Sequence, residues 1–296
     1  MASKPSQYNL PAILALLLAA TLWGLIWYPL RELENAGISG LWASLFMYSA
    51  AMLVAIPYFI SQRSHLLSQP ALFILIAIFS GWTNIAFILA VIEGNVVRVV
   101  LLFYLSPLWA VLFARLFLGE KFTPRALLML GLAMMGAVLM LWKPEQAGNW
   151  LFTPADWLAL SASVAFAATN VTVRYAHAMP LGLKSSATWL GVCILAALWI
   201  ILGDSPLPEV EGDLLIGIFV VGGIAMIVMT LTVQYGVSHM PVQRSAVILL
   251  FELIVAAVAA QILTSEQVTA LEWFGGGLII AASLLAAYKQ DVEKNV

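Results

Sequence analysis

Long apolar runs, separated by short polar stretches, follow one another along almost the whole chain. A helix needs ~20 apolar residues to cross the ~30 Å hydrocarbon core of a membrane. By that measure the pattern predicts ten spans, at residues 9–30, 38–61, 70–92, 96–117, 124–142, 155–175, 183–203, 213–236, 241–263 and 270–288. The first run is predicted to remain as a span, since it is too long for a signal peptide and lacks an Ala-x-Ala-like cleavage site.

Part of the pattern recurs in the second half of the chain without a gap. Four matched pairs lie 146 positions apart: Arg98 and Arg244, Glu120 and Glu266, Thr123 and Thr269, Gly131 and Gly277. A repeat of about half of 296 residues indicates a duplicated unit. Five spans per half is an odd number, so the second copy enters the membrane from the opposite side. We therefore predict an all-α membrane protein of ten transmembrane helices, built as two inverted five-helix repeats (1–148 and 149–296) around a central cavity.

The distribution of Lys and Arg predicts the orientation, because these residues accumulate on the cytoplasmic side. With the N-terminus inside, three lie outside: Arg31, Arg98 and Lys143. The inner set is larger: Lys4, Arg63, Arg115, Lys121, Arg125, Arg174, Lys184, Arg244, Lys289 and Lys294. Both termini are therefore expected in the cytoplasm.

Composition removes several classes of function. The chain is 63% hydrophobic and 9% charged, against roughly 45–50% and 25% in soluble domains. A net charge of −2 argues against a nucleic-acid partner, which needs clustered Lys and Arg. The single cysteine, Cys193, excludes a disulfide framework, and the three scattered histidines have no metal-ligand spacing. We expect no cofactor, no metal and no enzymatic activity.

One motif points to a known family. The segment from Pro107 to Thr123, Pro-Leu-Trp-Ala-Val-Leu-Phe-Ala-Arg-Leu-Phe-Leu-Gly-Glu-Lys-Phe-Thr, resembles the hallmark of EamA-type members of the drug/metabolite transporter superfamily. The second copy keeps Glu252 and Glu266 but has Leu253 and Ser265 where the family usually has Pro and Gly. The resemblance implies a bacterial inner-membrane carrier of small metabolites, often an exporter. It also implies a cavity lined by spans 1, 3, 4, 6, 8 and 9.

Glu252 is the strongest candidate for chemistry, because it lies at the centre of span nine among apolar neighbours. An acid at mid-bilayer costs on the order of 2.5–3.5 kcal/mol and is expected to face a cavity or a partner. It could accept a proton, neutralise a substrate amine, or serve only as a hydrogen-bonded part of the framework.

Two arginines and several aromatic and amide side chains complete the candidate site. Arg98 and Arg244 either anchor helix ends, or act as gates or hold a substrate carboxylate at the two mouths; Arg98 could also pair with Glu93. Aromatic faces converging on Glu252 would suit an organic cation, although single Trp residues commonly pack against lipid or other helices. The predicted substrate-binding or coupling residues, besides Glu252, are Trp27, Trp82, Asn84, Tyr104, Trp109 and Asn170.

The remaining matched residues are predicted to be structural. Thr123 and Thr269 have the spacing of helix N-caps, with Pro124 in the first helical turn. Glu120 and Glu266 beside them are interpreted as loop positions. The glycines of spans five and ten, Gly131, Gly136 and Gly275 to Gly277, are expected to let these two scaffold helices approach closely.

These features favour a secondary carrier that works by alternating access on a small-molecule substrate within the lipid bilayer. Its substrate is expected to be an amino acid or related amine-bearing metabolite, or alternatively a hydrophobic organic cation such as a quaternary ammonium compound. Export rests on the resemblance alone, and proton coupling stays open with the role of Glu252. The chain is expected to act as a monomer or weak homodimer. A membrane enzyme or assembly subunit without transport is the alternative from another class.

Overall fold

The computed structural model of the chain describes residues 10–94, 96–121, 123–142, 152–209, 212–264 and 267–287, and these residues are helical with no strand. Predictions that involve Lys4, Lys143, Glu266, Lys289 or Lys294 lie outside them. Eight described helices are long and apolar enough to cross a membrane. The two others at predicted spans are Pro154–Tyr175, which carries several polar residues, and the shorter apolar Ala270–Ala287.

The long helices are numbered here α1 to α10. They are α1 (Leu10–Leu25, continued as Trp27–Asn35), α2 (Gly40–Ser61), α3 (Pro70–Glu93), α4 (Val96–Phe103 and Ser106–Phe117), α5 (Pro124–Leu141), α6 (Pro154–Tyr175), α7 (Leu181–Leu202), α8 (Gly212–His239), α9 (Val242–Leu249 and Phe251–Leu263) and α10 (Ala270–Ala287). A short helix, Arg63–Ser68, joins α2 to α3, and a π-helical turn, Ile218–Gly222, interrupts α8.

Equivalent helices of the two halves pack in equivalent ways. Helix α1 lies against α8 and α9, and its counterpart α6 lies against α3 and α4. Helices α2 and α3 of the first half both contact α7 of the second, and α5 contacts α10. The first helix of each half therefore packs on the third and fourth helices of the other half.

Helix starts follow the capping residues in the sequence. The Thr123 hydroxyl accepts a hydrogen bond from the Ala126 N–H at 3.1 Å, with Pro124 in the first turn. Thr269 accepts from the Glu272 N–H at 3.3 Å, and the Glu272 carboxylate accepts from the Thr269 N–H at 2.6 Å. The predicted caps of α5 and α10 are thus confirmed, and the second is a reciprocal capping box.

Close packing of α5 against α10 depends on two of the predicted glycines. A Cβ atom at Gly136 would lie 2.5 Å from the Gly275 carbonyl oxygen, and one at Gly275 would lie 2.6 Å from that of Gly136. Only residues without a side chain fit this crossing. The repeat-matched Gly131 and Gly277 have open space around the Cβ position. The prediction for these two was wrong, because the crossing point lies on another part of each helix.

The two ends of the helix bundle are named here by their arginine and glutamate. The Arg98 end holds the starts of α4, α6 and α10. The Glu120 end holds the ends of α4, α6 and α8 and the starts of α5, α7 and α9.

Candidate functional site

Helices α4 and α9 are both interrupted near their middles, at matching positions of the repeat. The chain turns at Tyr104 and Leu105 in α4 and at Leu250 in α9, and Tyr104 and Leu250 lie 146 positions apart. The Leu105 N–H donates to Leu102 O and the Leu250 N–H to Val247 O, each at 3.2 Å. These bonds span three residues instead of four, so one tight turn separates the two halves of each helix.

Proline explains the first interruption only. Pro107 lacks a backbone N–H, and its ring collides with a straight helical turn before it. Its counterpart in α9 is Leu253, so the second interruption persists without proline.

The interruptions bring two candidate residues together across the two halves. The Tyr104 hydroxyl of α4 donates a hydrogen bond to Glu252 Oε1 of α9. Both side chains are half-buried. The position equivalent to Glu252 in the first half is Ser106, which is buried, so the matched helices supply one carboxylate and one hydroxyl. The site around the interruptions is chemically asymmetric although the backbone is nearly symmetric.

Helix α1 packs closely against the backbone of α9 beside the Tyr104–Glu252 pair. A Cβ atom at Gly24 would lie 2.6 Å from the Glu252 carbonyl oxygen and 2.9 Å from Val255 Cβ. Glycine is therefore required where α1 crosses α9. Its repeat counterpart on α6 is Asn170, which is 6% exposed.

A group of three phenylalanine rings lies next to Tyr104, the hydroxyl partner of the pair. The Phe103 ring lies 6.0 Å from the Tyr104 ring, 4.8 Å from Phe87 on α3 and 5.6 Å from Phe166 on α6. Sequence reasoning missed these three, because an isolated Phe in a membrane span looks the same whether it faces lipid or a partner helix. The rings make one wall of the site apolar and aromatic.

Trp82 and Trp27, two of the predicted site residues, contact other side chains of the protein. Trp82 Nε1 donates to Ser161 Oγ of α6 at 3.1 Å, and the ring stacks edge-on against Trp199 of α7 at 5.6 Å. The Arg31 guanidinium lies 5.5 Å from the Trp27 ring, one helical turn further along α1. Trp82 thus joins three helices, and the Trp27 face is occupied by an internal cation.

Asn84 and Trp109 carry unsatisfied polar atoms. Asn84 Oδ1 and Trp109 Nε1 are buried, and neither has a hydrogen-bond partner in the described part of the chain. A buried polar group without a partner costs about 1–3 kcal/mol. The Asn84 Oδ1 acceptor and the Trp109 Nε1 donor are therefore available to a polar ligand.

The two arginines differ in their surroundings. Arg98 Nε lies 2.8 Å from Asp156 Oδ1 at the start of α6, and its guanidinium lies 5.7 Å from the Phe152 ring. Arg98 therefore pairs with Asp156, a partner that was not considered from the sequence. The Thr153-x-x-Asp156 capping box could have revealed this residue in the sequence. Arg244 lines a small pocket at the Glu120 end together with Arg125.

Two charged residues at the Glu120 end, Lys184 and Glu120, were given no role in the site from the sequence alone. Lys184 is 2% exposed, and its ammonium group donates to Val173 O at 2.8 Å and to Ser238 Oγ at 3.0 Å. Glu120 lies outside the membrane helices, where burial raises the pKa of its carboxyl, opposed by the hydrogen bond from the Val242 N–H and by the charge of Arg174. No group of three or more His, Cys, Asp or Glu that could hold a metal occurs among the described residues.

Comparison with known proteins agrees with the fold and the repeat. The model of the EamA-like transporter family matches residues 10–142 and again residues 153–288. These two matches cover most of the chain. The same transporter model therefore matches each half once, as expected for a duplicated unit.

The chain belongs to the EamA-like transporter family. A solved structure described only as "Crystal structure of protein" is similar to it, with a TM-score of 0.75 and 20% identity over 93% of this chain and 96% of that one. At this identity the likeness shows the fold alone. Comparison with curated protein sequences gives no significant match.

Proposed function

We propose that the protein is a secondary carrier that exports small amine-bearing metabolites, amino acids among them, by alternating access. The observation that carries this proposal is the hydrogen bond between Tyr104 and Glu252 across the two halves. It lies where both α4 and α9 are interrupted, beside the glycine crossing of α1. A carboxylate at this depth can neutralise a substrate ammonium group or accept a proton.

The proposed architecture is ten transmembrane helices in two inverted repeats, divided near residues 148 and 149, around a central cavity. The exchanged packing of α1 and α6 supports it, because equivalent helices make equivalent contacts in the opposite half. An inverted repeat gives two states of similar energy that open to opposite sides. The excess of Lys and Arg at the Glu120 end supports a cytoplasmic location of that end, in a bacterial inner membrane.

The aromatic wall supports a second substrate class. The Phe103 ring lies next to Tyr104, and Phe87 and Phe166 pack against Phe103, so the surroundings of the Tyr104 hydroxyl suit a hydrophobic organic cation. The two classes differ in hydrogen bonding, because a primary ammonium group has three donors and a quaternary one has none.

The test is solute uptake by purified protein in lipid vesicles, with a panel of amino acids and a series of one amine carrying zero to three N-methyl groups. We expect transport that weakens as methyl groups replace N–H donors. Transport that strengthens along the series would establish the organic-cation alternative. No movement of any solute, together with no ligand-induced rise in melting temperature, would contradict the carrier proposal.

A further inference from the structure

The end of α4 places Glu120 by a specific backbone motif. The Leu118 and Glu120 N–H groups both donate to Ala114 O, at 3.0 and 3.2 Å, and Gly119 between them has a φ of +68°. Gly119 has the left-handed conformation that commonly follows the last turn of a helix, and glycine adopts it without strain. The motif ends the helix and sets the direction in which the Glu120 side chain leaves it.

From that position Glu120 reaches two helices of the second half. Its Oε1 accepts a hydrogen bond from the Val242 N–H, the first residue of α9, at 3.3 Å. The same oxygen lies 4.0 Å from Arg174 Nε at the end of α6. Thr123, not Glu120, caps α5, so the acid serves the opposite half of the protein instead of its own loop.

Arg174 and Lys184 extend the contact to α7 and α8. Arg174 Nη1 donates to Ser238 O at 2.6 Å, and the Lys184 ammonium donates to the Ser238 hydroxyl near the end of α8. Gln243 Nε2 of α9 also donates to Lys121 O beside Glu120, at 3.4 Å. The ends of α4, α6 and α8 and the starts of α7 and α9 are thereby joined in one network.

These helices include most of those expected to line a central pathway, and Glu120 contributes a side chain of the first half to the network. We infer that Glu120 is a gating residue, whose contacts with Val242 and Arg174 close the Glu120 end of the pathway. This inference rests on the proposed alternating access, and it replaces the interpretation of Glu120 as a loop position.

The accessibility of a reporter cysteine tests the gate without any transported solute. Cys193 is the only native cysteine, so a Cys193→Ala background is free of other thiols. Ala246→Cys places the reporter one turn after Val242, where Ala246 is 9% exposed. The measurement is its rate of reaction with a membrane-impermeant sulfonated thiol reagent, added to the Glu120 end in inverted vesicles and to the other end in right-side-out vesicles.

Glu120→Ala is expected to raise the reaction rate at the Glu120 end about tenfold, as losing the bond from the Val242 N–H and leaving that donor without its acceptor would do. Arg174→Gln should raise it in the same direction, and it leaves the loop intact if Glu120→Ala folds poorly. Glu266→Ala, the change at the repeat counterpart, should alter this rate less than twofold.

Unchanged rates in both Glu120→Ala and Arg174→Gln would overturn the inference. Equal increases from both sides of the membrane would also overturn it, because they indicate general loosening. A gate that responds as expected in a protein that moves no solute would contradict the carrier proposal alone.

Discussion

The pair α4–α6 and its repeat counterpart, the pair α9–α1, pack in similar positions but are held by different interactions. Two ion pairs link α4 to α6, Arg98 with Asp156 at one end and Glu120 with Arg174 at the other. The positions of α1 that correspond to Asp156 and Arg174 are Leu10 and Tyr28. The equivalent ion pairs therefore cannot form, and α1 approaches α9 through Gly24 instead.

Because of this difference, we expect the helix pairs α4–α6 and α9–α1 to move differently. An ion pair with one buried partner fixes the register of two helices, because sliding would leave the buried charge uncompensated. A glycine crossing has no such preference and permits small shifts of one helix along another. We expect α4 and α6 to keep their register at the Arg98 end, where Asp156 is the buried partner, and α1 to move against α9 beside Glu252.

Removing the central carboxylate should have the largest effect of any single change. In Glu252→Gln we expect coupled transport to fall about 100-fold or more, as for loss of the partner of a buried charge, while protein level and melting temperature stay normal. The equivalent change in the first half, Ser106→Ala, should leave most of the transport. Substrate exchange at equal concentrations separates the roles, because it survives if Glu252 only carries protons and fails if Glu252 binds the amine. Normal coupled transport by Glu252→Gln would show that the carboxylate is framework.

The ion pair at the Arg98 end should dominate stability. Arg98→Leu leaves the Asp156 side chain, which is 3% exposed, without its charge partner. Loss of one partner of a buried pair costs about 3–5 kcal/mol, and we expect the low part of that range because Asp156 keeps its bonds to Thr153. The measurement is thermal unfolding in detergent, followed by tryptophan fluorescence.

The double variant Arg98→Leu with Asp156→Leu is the matched control, because it removes the orphaned acid and reproduces Leu10 of α1. It should be more stable than Arg98→Leu alone. A single variant as stable as the original protein would show that the pair does not hold α4 to α6.

The sequence predicted the helices and the repeat well, because both depend on apolar length and on spacing along the chain. It also singled out Glu252 as a candidate, since an acid inside an apolar run is conspicuous, and its role remains a prediction. The contacts between helices were harder to predict from the sequence. Asp156 of α6 meets Arg98 of α4 in the other half, and only the packing shows this pairing. The same holds for Lys184 and Ser238, which lie on consecutive helices of the second half but 54 residues apart.

The aromatic residues illustrate the same limit. Trp82 was a candidate for an aromatic box beside Glu252, and the structure shows its N–H bonded to Ser161. Phe103 was overlooked, although its ring lies next to Tyr104. Helical spacing gives the face on which a residue lies, but not which neighbour covers that face. The orientation of each helix decides this, and it depends on crossings such as those at Gly24 and Gly136.

A methyl group at the α1–α9 crossing should have an intermediate effect. Gly24→Ala puts Cβ against the Glu252 carbonyl oxygen, and overpacking of this kind costs about 1–3 kcal/mol. We expect slower transport and a lower melting temperature. Gly131→Ala is the control, because its Cβ meets open space within a helix and should be neutral or slightly stabilising. Equal behaviour of the two variants would show that α1 does not depend on close approach to α9.

The smallest expected effect is the pH dependence of the contact between Glu120 and Arg174. This ion pair has no equivalent between α9 and α1, because Tyr28 occupies the position that corresponds to Arg174. Burial raises the pKa of the Glu120 carboxyl above its ordinary value of 4.5, although Val242 N–H and Arg174 oppose the shift. Besides Arg174, the ionisable groups at this end include Arg115, Lys121, Arg125, His177, Lys184, His239 and Arg244. Since the pKa is higher in the closed arrangement than in a solvated loop, protons bind the closed form more tightly. Acidification should therefore close the Glu120 end, and opening should become easier as pH rises through the raised pKa.

The reaction rate of Ala246→Cys measures this effect, taken at each pH relative to the same reporter in Glu120→Gln. The ratio removes the ionisation of the thiol itself, and glutamine keeps the hydrogen bond from Val242 without a titrating proton. We expect the ratio to rise about threefold with increasing pH, the size of effect that a partly exposed charge contact supports. A flat ratio would leave Glu120 as a contact without proton control, and a ratio that falls with increasing pH would mean that attraction to Arg174 outweighs the cost of burial.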